Sequence, residues 1–579
     1  MEEKIAKKPK QNEKPEQKKA APAKGEAKKA PAKKTSAPKR ENTAKPAAKK
    51  PSESKKTSVK ADVKSEEGVK KAAAQAEQTV SKAEEAKAPE KAKVTPQPKA
   101  PLKILFAASE CTPFIKTGGL ADVVGSLPQE LVKMGADVRV MLPEYNAIPE
   151  EYRARWQLVS EFTVDMGWRK QYCGIHQLER SGVTFYFIDN KQYFGRDYIY
   201  GKFNSDEAER FAFFSKAVLE AMRHLNFYPD ILNAHDWQAA MSIALLRLQY
   251  GLLPNYRDIR TVMTIHNLRF QGVFPWEQVA DALSLSWDCF TDDKLEYYGC
   301  INFLKGGIVY ADKVTTVSPT YSDEIQSAYY GEKLDGLLRA RDNALSGILN
   351  GIDVEAWNPE TDQYIASNYS AKELGGKAAC KNVLQTEFNL DRNPDTLVVA
   401  MVSRMTDQKG FDLVERVIHE IVDSGVQLAV LGRGDSRYEG MLSWAAWRYP
   451  GRVGVRYEQN EALAHKVYAG ADLFLMPSQF EPCGLSQMIA MRYGTIPIVR
   501  ETGGLKDTVQ PYNKYEDSGT GFTFSNYNAH EMLDALYRAI GLHYYGDAWE
   551  RMIKRDMLTD YCWTRSAASY MQLYESLRV

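Results

Sequence analysis

Four segments of the sequence combine glycine with charged or polar side chains, a pattern that is typical of sites for phosphates and sugars. The first is Lys116-Thr-Gly-Gly-Leu-Ala-Asp122. Gly118 and Gly119 let the backbone turn sharply and approach a phosphate, and Lys116 adds a positive charge beside them. A tight turn without a ligand is the alternative interpretation. The segment matches neither the P-loop nor the dinucleotide-binding glycine pattern.

The second segment supplies two positive charges directly after an apolar run. It reads Val402-Ser-Arg-Met-Thr-Asp-Gln-Lys-Gly410. Arg404 and Lys409 would project from the end of a strand, where two fixed cations stabilise the charge that develops on a departing nucleoside diphosphate. A solvated loop is the alternative interpretation.

The third and fourth segments also follow apolar runs. In Pro477-Ser-Gln-Phe-Glu-Pro-Cys-Gly-Leu-Ser486, the carboxylate of Glu481 could bind sugar hydroxyls, assisted by the amides of Cys483 and Gly484. A helix cap is the simpler interpretation of this segment. Thr502-Gly-Gly-Leu505 adds a second glycine pair, Gly503 and Gly504, with the same two interpretations as the first pair.

Short apolar runs alternate with longer helical patterns along the chain and would position these segments. The predicted strands are 103–109, 137–142, 183–188, 230–233, 261–265, 314–317, 396–402, 427–431, 473–476 and 495–499. This alternation indicates parallel sheets covered by helices on both faces, and two sets of strands indicate two doubly wound domains. Ligands of such sheets bind at the carboxyl ends of the strands.

The first hundred residues differ in composition from the rest of the chain. They contain no Phe, Trp, Tyr, Leu or Cys and carry 28 Lys and Arg against 14 Asp and Glu, whereas residues 101–579 carry 48 against 61. The net charge of +1 for the whole chain therefore results from a basic first segment and an acidic remainder whose charges nearly cancel. A segment so poor in large apolar side chains cannot offset the entropy of ordering its backbone, so residues 1–100 are predicted to be a disordered basic tail.

Other features narrow the class of protein. No apolar run approaches the roughly 18–20 residues that span a bilayer, and we expect no secretory signal. The seven cysteines are scattered and form no CxxC pair, which argues against a disulfide framework or a zinc site and is typical of a reduced, cytoplasmic protein.

The motifs together resemble the signatures of bacterial glycogen synthases and plant starch synthases, which are retaining glucosyltransferases of the GT-B fold. The strings that carry the resemblance are KTGGLADV, SRMTDQKG, EPCGLSQMIAMRYGT and TGGLKDTV. The resemblance runs in order from about residue 102 to residue 579 and does not cover the first hundred residues. It implies transfer of glucose from ADP-glucose to the non-reducing end of an α-1,4-glucan with retention of configuration, without a metal or another cofactor.

The fold implied by the resemblance is α/β, with two Rossmann-like doubly wound domains facing a deep cleft. After the tail, residues 101–345 would form the N-terminal, acceptor-side domain. Residues 346–555 would form the C-terminal domain that binds the nucleotide-sugar, and residues 556–579 a helix that crosses back to the first domain.

The resemblance also implies a role for each site residue. Asp236 and His266 would face the reacting glucose, Arg404 and Lys409 would hold the diphosphate, and Glu481 would bind the glucosyl hydroxyls. These five are the expected catalytic residues, although from spacing alone Asp236 could be a helix cap and His266 a buried strand-end histidine. The expected substrate-binding residues are Lys116, Gly118, Gly119, Asp122, Tyr200, Asn267, Asn350, Cys483, Gly484, Thr502, Gly503 and Gly504.

One position departs from the family pattern. Where family members carry an aromatic residue that stacks on the base, a few residues before Glu-Ala-x-x-His, this chain has Gln459, and Tyr457 is the aromatic alternative. ADP-glucose is the expected donor, with UDP-glucose as the alternative.

Two other functions are the alternatives to this one. A glucan phosphorylase shares the fold but would need a lysine-anchored pyridoxal phosphate, for which we find no motif. A role in binding nucleic acid or another anionic surface would depend on the basic tail alone, because the acidic remainder of the chain argues against contact with nucleic acid.

Overall fold

The computed structural model describes residues 100–201 and 206–578. The predicted tail, residues 1–100, therefore lies outside the described residues except for Ala100. Every strand and helix named for this structure lies within these two ranges.

The first half of the chain contains twelve strands, and nine of them form one sheet. The strands are β1 (Lys103–Ala107), β2 (Asp137–Pro143), β3 (Gln157–Met166), β4 (Arg169–Arg180), β5 (Val183–Asp189), β6 (Ile231–His235), β7 (Arg260–Ile265), β8 (Val273–Pro275), β9 (Glu296–Tyr297), β10 (Cys300–Asn302), β11 (Lys313–Thr316) and β12 (Leu345–Gly347). The nine-stranded sheet has the order β12-β11-β7-β6-β1-β2-β5-β4-β3, and β8, β10 and β9 form a small separate sheet.

Helices cover this sheet on both faces. They are α1 (Gly119–Lys133), α2 (Glu150–Arg153), α3 (Lys191–Phe194), α4 (Asp206–His224), α5 (Asp236–Leu245), α6 (Trp276–Leu283), α7 (Phe303–Tyr310), α8 (Pro319–Glu324) and α9 (Asp335–Ala340). Ile104 to Ala107 of the central strand β1 are fully buried, as expected for a parallel strand between two helical layers.

Helix α5 is enclosed by its neighbours and begins at a candidate site residue. Every residue from Trp237 to Leu245 is buried. At Gly307 on α7, an added Cβ would lie 2.9 Å from the Cβ of Ala240 and 2.6 Å from the sulfur of Met263, so only glycine permits this approach. Close packing of this kind fixes the position of Asp236 at the start of the helix.

The second half of the chain forms a six-stranded, fully parallel sheet. Its strands are β13 (Val398–Val402), β14 (Gln427–Leu431), β15 (Val453–Arg456), β16 (Leu473–Met476), β17 (Ile496–Arg500) and β18 (Phe522–Phe524), in the order β15-β14-β13-β16-β17-β18. Its helices are α10 (Gly375–Glu387), α11 (Phe411–Arg416), α12 (Ile418–Asp423), α13 (Ser436–Arg448), α14 (Glu461–Gly470), α15 (Ser486–Arg492), α16 (Gly503–Thr508), α17 (Ala529–His543), α18 (Gly546–Leu558) and α19 (Trp563–Leu577).

The α/β fold with two doubly wound sheets is confirmed, and each of the ten predicted strands overlaps an observed strand. The predicted parallel strands are confirmed, and the first sheet is extended at one edge by antiparallel pairs, β3 with β4 and β4 with β5. The turn between β3 and β4 contains Gly167 with φ of 64°, a conformation that suits glycine in a tight hairpin. Among the described helices, none is long and apolar enough to cross a membrane.

Helix α19 packs against the first half of the chain. Tyr574 is fully buried, and its hydroxyl donates a hydrogen bond of 2.6 Å to Oδ1 of Asn233 on β6. The hydroxyl of Ser566 donates to the carbonyl of Leu349 at 2.5 Å. The last helix therefore belongs to the core that supports β6, the strand that leads to Asp236.

We predict that Tyr574→Ala lowers the free energy of unfolding by about 3–5 kcal/mol, because it removes a buried ring and leaves Asn233 without a donor. Gln572→Ala, an exposed change on the same helix, is the control and should cost less than about 0.5 kcal/mol. Denaturant unfolding followed by circular dichroism compares the two variants. Equal stability of both would contradict a structural role for α19.

Candidate active site

Three neighbouring strands of the first sheet bring polar side chains to one edge. Glu110 follows β1, Asp236 follows β6 and His266 follows β7. Because these strands are adjacent and parallel, their carboxyl ends meet at the same edge of the sheet. The structure therefore brings Asp236 and His266 together, and it adds Glu110, which the sequence analysis did not identify.

Glu110 organises the first glycine segment. Its carboxylate accepts hydrogen bonds from the amides of Thr117 (2.5 Å) and Gly118 (3.2 Å) and from the hydroxyl of Thr117 (2.7 Å). The hydroxyl of Tyr200 also donates to Glu110, at 2.5 Å. The amide of Gly118 and the hydroxyl of Tyr200 are thus bonded to a protein carboxylate. An acidic residue directly after a buried strand was the available signal for Glu110.

The glycines of this segment leave space around the loop. Neither Gly118 nor Gly119 has a positive φ, and an added Cβ at Gly118 would meet no atom within 4 Å. At Gly119 the nearest atom would be Cδ1 of Leu485, at 3.8 Å. Neither backbone strain nor a close contact requires glycine here, so a tight turn does not explain the pair. The contact distance also shows that this loop faces the segment that contains Glu481.

Lys116 and Asp122 bond to each other across the same segment, with 2.7 Å between Nζ and Oδ1. Burial raises the pKa of Asp122, and the Lys116 ammonium partly opposes that shift. Lys116 is exposed, so its charge remains accessible to a ligand.

Asp236 is held in a strained backbone conformation. Its φ is 55°, which is uncommon for a residue with a side chain, and strain of this kind is concentrated at functional sites. Its Oδ1 accepts a hydrogen bond of 2.7 Å from the amide of His266. Burial raises the pKa of Asp236 to about 7, against the opposing effect of the amides of His266 and Asn267. The side chain of Asn267 caps its own loop, accepting from the amide of Arg269 at 3.1 Å.

His266 is a neutral imidazole in this setting. Burial lowers its pKa to about 3. Its Nε2 lies 2.9 Å from Nδ1 of His235, whose ring stacks between His266 and Phe106. Within the described part of the chain, Nδ1 of His266 has no hydrogen-bond partner. One ring nitrogen therefore fixes the orientation of the ring, and the other is available to a substrate.

Lys409 and Glu481 form an ion pair in the second half. The Nζ of Lys409 lies 2.5 Å from Oε2 of Glu481, and the side chains are 17% and 8% exposed. Ser478 donates a second hydrogen bond, of 3.0 Å, to the same oxygen. Oε1 of Glu481 has no partner among the residues that the structure describes. The family resemblance implied contacts of the two side chains with different parts of a substrate, and no local sequence pattern indicated that they contact each other.

Gly410 permits this contact. The adjacent strands β13 and β16 lead into the two loops, and Gly410 has φ of 77°. An added Cβ there would lie 2.2 Å from the carbonyl oxygen of Pro477. Only glycine allows the two loops to meet so closely. Arg404, in the same loop as Lys409, is exposed, and in the described part of the chain its guanidinium has no partner.

The second glycine pair has a packing role that the first pair lacks. An added Cβ at Gly503 would lie 2.1 Å from the carbonyl oxygen of Glu481, and one at Gly504 would lie 2.0 Å from that of Cys483. The amide of Gly504 donates to the carbonyl of Glu481 at 3.1 Å. Gly484 has φ of 71°. These glycines hold the loop of Glu481 in place.

Two other predicted donors are bonded to a carboxylate of the first half. The hydroxyl of Thr502 and the amide of Gly503 donate to Oε1 of Glu324 on α8, at 2.9 and 3.0 Å. Burial raises the pKa of Glu324.

Asn350 is buried beside the thiol of Cys483. Burial raises the pKa of this thiol to about 12. The thiol of Cys483 is therefore protonated, and its backbone amide is the group that could bind a substrate.

Among the described residues, one group of side chains could act as metal ligands. It consists of Glu144, His176 and Asp189, and one ligand atom of each lies within 4.8 Å of the others. The ammonium of Lys191 bonds to both carboxylates of this group. The group contains no predicted site residue, and a lysine already supplies its positive charge.

The chain matches known enzymes over most of its length. Residues 103–340 match a family model described as the starch synthase catalytic domain, and residues 384–554 match one described as glycosyl transferases group 1. The glycogen synthase of Bacillus cereus is 53% identical over 476 residues, covering 82% of this chain and 100% of that protein. The glycogen synthase of Geobacillus thermodenitrificans is 54% identical, covering 82% of this chain and 98% of that protein.

Two solved structures are similar to the chain in fold. The catalytic domain of starch synthase IV from Arabidopsis thaliana, bound to ADP and acarbose, aligns with a TM-score of 0.76 at 32% identity, covering 82% of this chain and 99% of that chain. The sucrose-phosphate synthase of Thermosynechococcus elongatus, at 17% identity and a TM-score of 0.54, shares the fold. The chain therefore belongs to the glycogen synthase and starch synthase family of glycosyltransferases.

Proposed function

We propose that the protein transfers glucose from ADP-glucose to the non-reducing end of an α-1,4-glucan with retention of configuration. The observation that carries this proposal is the Lys409–Glu481 pair, in which the protein uses only Oε2 of the carboxylate. Oε1 can therefore accept from glucosyl hydroxyls while Lys409 contacts a phosphate. The starch synthase that binds ADP and acarbose supports the same pair of substrates.

The diphosphate would be bound by side-chain cations. Lys409 and the exposed Arg404 follow the same strand, and the exposed Lys116 lies on the loop that faces Leu485. Fixed cations stabilise the charge that develops on the leaving oxygen without reorganisation of water. We propose that these groups take the role that a divalent metal has in other transferases, so that no metal is required.

The glucosyl group would be held between the two halves. Glu481 and the amides of Cys483 and Gly484 would bind its hydroxyls from one side. Asp236 and the neutral ring of His266 would face it from the other side, with Nδ1 of His266 as the free ring nitrogen. Tyr200 and Asn267 would shape the cleft rather than contact the sugar through the Tyr200 hydroxyl and the Asn267 Oδ1, because both atoms are bonded to protein groups. Asn350 would line the cleft beside Cys483.

Retention is explained by substitution on one face of the sugar. The bond between C1 and the phosphate oxygen breaks, the acceptor 4-hydroxyl oxygen bonds to C1, and its proton passes to the leaving diphosphate. A double displacement would instead need a carboxylate nucleophile on the opposite face, about 5 Å from a second carboxylate. Exclusion of water from the cleft would suppress hydrolysis of the donor.

We also propose that the protein acts in the cytoplasm. The seven cysteines are free thiols, which supports a reducing compartment and hence the cytoplasm. The basic composition of residues 1–100 supports contact between this segment and an anionic surface.

The direct test is an assay with glycogen and either ADP-glucose or UDP-glucose. We expect ADP release with growth of the glucan chains, faster with ADP-glucose, and an α-linkage for the new glucose by NMR. Release of free glucose without chain growth, or a preference for UDP-glucose, would contradict the proposal.

We predict that Lys409→Ala and Glu481→Ala each lower kcat by about 10²–10³-fold, and that the double variant loses far less than the product of the two effects. The reason is that each single change leaves the other charge buried and unpaired. Arg404→Ala is the matched comparison. It should lower kcat more than it raises KM, without loss of thermal stability, because Arg404 is exposed and unpaired in the described structure. Multiplicative losses in the double variant would refute coupling of the pair.

Substitution of Gln459 can test how the protein recognises the nucleotide base of the donor. The hydroxyl of Tyr457 donates to the carbonyl of Glu439 at 2.8 Å and lies 2.7 Å from that of Ser443, so Tyr457 is held against α13, whereas Gln459 is exposed. We predict that Gln459→Tyr lowers the KM for ADP-glucose by roughly tenfold, since stacking on a base contributes about 1–3 kcal/mol. Glu458→Tyr is the control for an added ring one residue away. An unchanged KM for Gln459→Tyr would refute the stacking argument.

Removal of residues 1–100 should leave kcat and KM within about twofold, because that composition cannot contribute to an apolar core. Steady-state kinetics and thermal melting of the shortened and full chains provide the comparison. A large loss of thermal stability in the shortened chain would show that the segment supports the folded part.

A further inference from the structure

Two neighbouring cavities lie beside the candidate active site, the first lined by residues of both halves of the chain and the second by residues of the first half. The first has a volume of about 240 Å³, and its walls include Arg269, Tyr329, Tyr330, Glu332 and Phe480. The second has a volume of about 430 Å³, and its walls include Tyr297, Tyr298 and Lys333. Glu332 lines the first cavity, whereas the next residue, Lys333, lines the second. The hydroxyl of Tyr297, which also lines the second cavity, donates to the carbonyl of Glu332, so the linings of the two cavities are in contact.

The first cavity is walled by both loops of the candidate active site. Arg269 is three residues beyond His266, a separation that spans at most roughly 11 Å, and Phe480 directly precedes Glu481. The guanidinium carbon of Arg269 lies 5.8 Å from the centre of the Phe480 ring. A ligand in this cavity would therefore be next to the reaction centre.

Backbone strain is concentrated along the two cavities. Among the described residues, nine that are not glycine have a positive φ, and six of these are Ser, Asn or Asp. The other three are Tyr298, Glu332 and Lys333, with φ of 51°, 45° and 66°, and all three line the cavities. Bulky residues adopt this conformation at a cost that ligand-binding turns commonly bear. The carbonyl of Glu332 accepts hydrogen bonds from Nε2 of Gln271 at 3.0 Å and from the hydroxyl of Tyr297 at 3.1 Å.

Two tyrosines of these cavities expose their rings to water. Packing in the apolar core does not explain their positions. Tyr298 is 74% exposed and Tyr329 is 66% exposed. Each belongs to a pair of consecutive tyrosines whose rings meet nearly at right angles, with centres 4.8 Å apart in Tyr297–Tyr298 and 4.7 Å apart in Tyr329–Tyr330. Such rings offer flat apolar faces at a small cost in conformational entropy. A pyranose ring has a matching apolar face of C–H groups and a rim of hydroxyls.

The charges of the second cavity favour a neutral ligand. Three carboxylates line it, from Asp292, Asp293 and Glu296, against the two ammonium groups of Lys305 and Lys333. The ammonium group of Lys305 is largely occupied by hydrogen bonds within the protein, because its Nζ donates to the carbonyls of Asp292 and Glu296. A phosphate-bearing ligand would be repelled, whereas sugar hydroxyls can donate to carboxylates and accept from ammonium groups.

We propose that the two cavities are successive subsites for the acceptor glucan, which passes from the reaction centre over Tyr329 and Tyr330 and then over Tyr297 and Tyr298. We refer to these four residues as the tyrosine track. The inference rests on the proposed function, because it takes an α-1,4-glucan as the acceptor. Its consequence is that long acceptors gain affinity from the track, whereas maltose, which reaches only the reaction centre, does not.

The test uses Tyr298→Ala and Tyr329→Ala in the full chain. We expect the KM for glycogen to rise by about fivefold or more in each variant, with kcat and the KM values for ADP-glucose and maltose unchanged. Affinity electrophoresis in gels that contain glycogen, without donor, should show weaker retention. Tyr298→Phe keeps the ring and should behave as wild type, and Tyr515→Ala, which removes a ring that is 88% exposed elsewhere, is the matched control.

The outcomes separate this inference from the proposed function. Unchanged KM and unchanged gel retention in both alanine variants, with an active wild type, would overturn the track. An equal loss of kcat with maltose and glycogen would also overturn it, because the tyrosines would then act on the reaction centre or the fold. Failure of the wild type to extend glycogen would instead overturn the proposed function, while weaker gel retention of the alanine variants would still support a glucan-binding surface.

Discussion

The ion pair between Lys409 and Glu481 joins the ends of two adjacent strands in a region that excludes most water. Either charge alone would cost several kcal/mol to bury there. The loops of Lys409 and Glu481 can meet because Gly410 allows a close approach to the backbone of Pro477, where a Cβ would clash. Gly503 and Gly504, on a third loop, allow equally close contacts with the backbones of Glu481 and Cys483. The parallel sheet, the glycines and the charge pair therefore form a single structural unit, and none of its parts explains the site without the others.

In the first half of the chain, backbone amides stabilise the carboxylates of Glu110 and Asp236, and no cation is paired with them in the described structure. Glu110 and Asp236 each follow a buried strand. Glu110 accepts from amides of its own loop, and Asp236 accepts from the amide of His266 in the neighbouring loop. Amides compensate a negative charge less completely than an ammonium group. Burial can then raise the pKa of Asp236 to about 7, so its charge is sensitive to conditions near neutrality.

Local patterns predicted the strands and the loops that carry the site, because an apolar run followed by glycine and charge is a property of consecutive residues. They did not predict that Lys409 bonds to Glu481, since 72 residues separate them and only the pairing of β13 with β16 brings them together. Glu110 lacked a motif of its own. The sequence also assigned both glycine pairs the same two interpretations, and only the neighbouring atoms distinguish the open loop at Gly118 from the tight contact at Gly504.

The two halves are joined at α8 and α16 by polar groups. Asp507 accepts from the hydroxyls of Ser318 and Thr320 at 2.5 and 2.6 Å, and Glu324 accepts from Thr502 and Gly503 in return. Water can replace each of these bonds at a net cost of only about 0.5–1.5 kcal/mol, or up to roughly twice that for charged acceptors. An apolar seam would instead resist hydration in proportion to its area. A seam made of exchangeable hydrogen bonds can part and re-form reversibly, which is the mechanical requirement for admitting a bulky polymer and then enclosing its end.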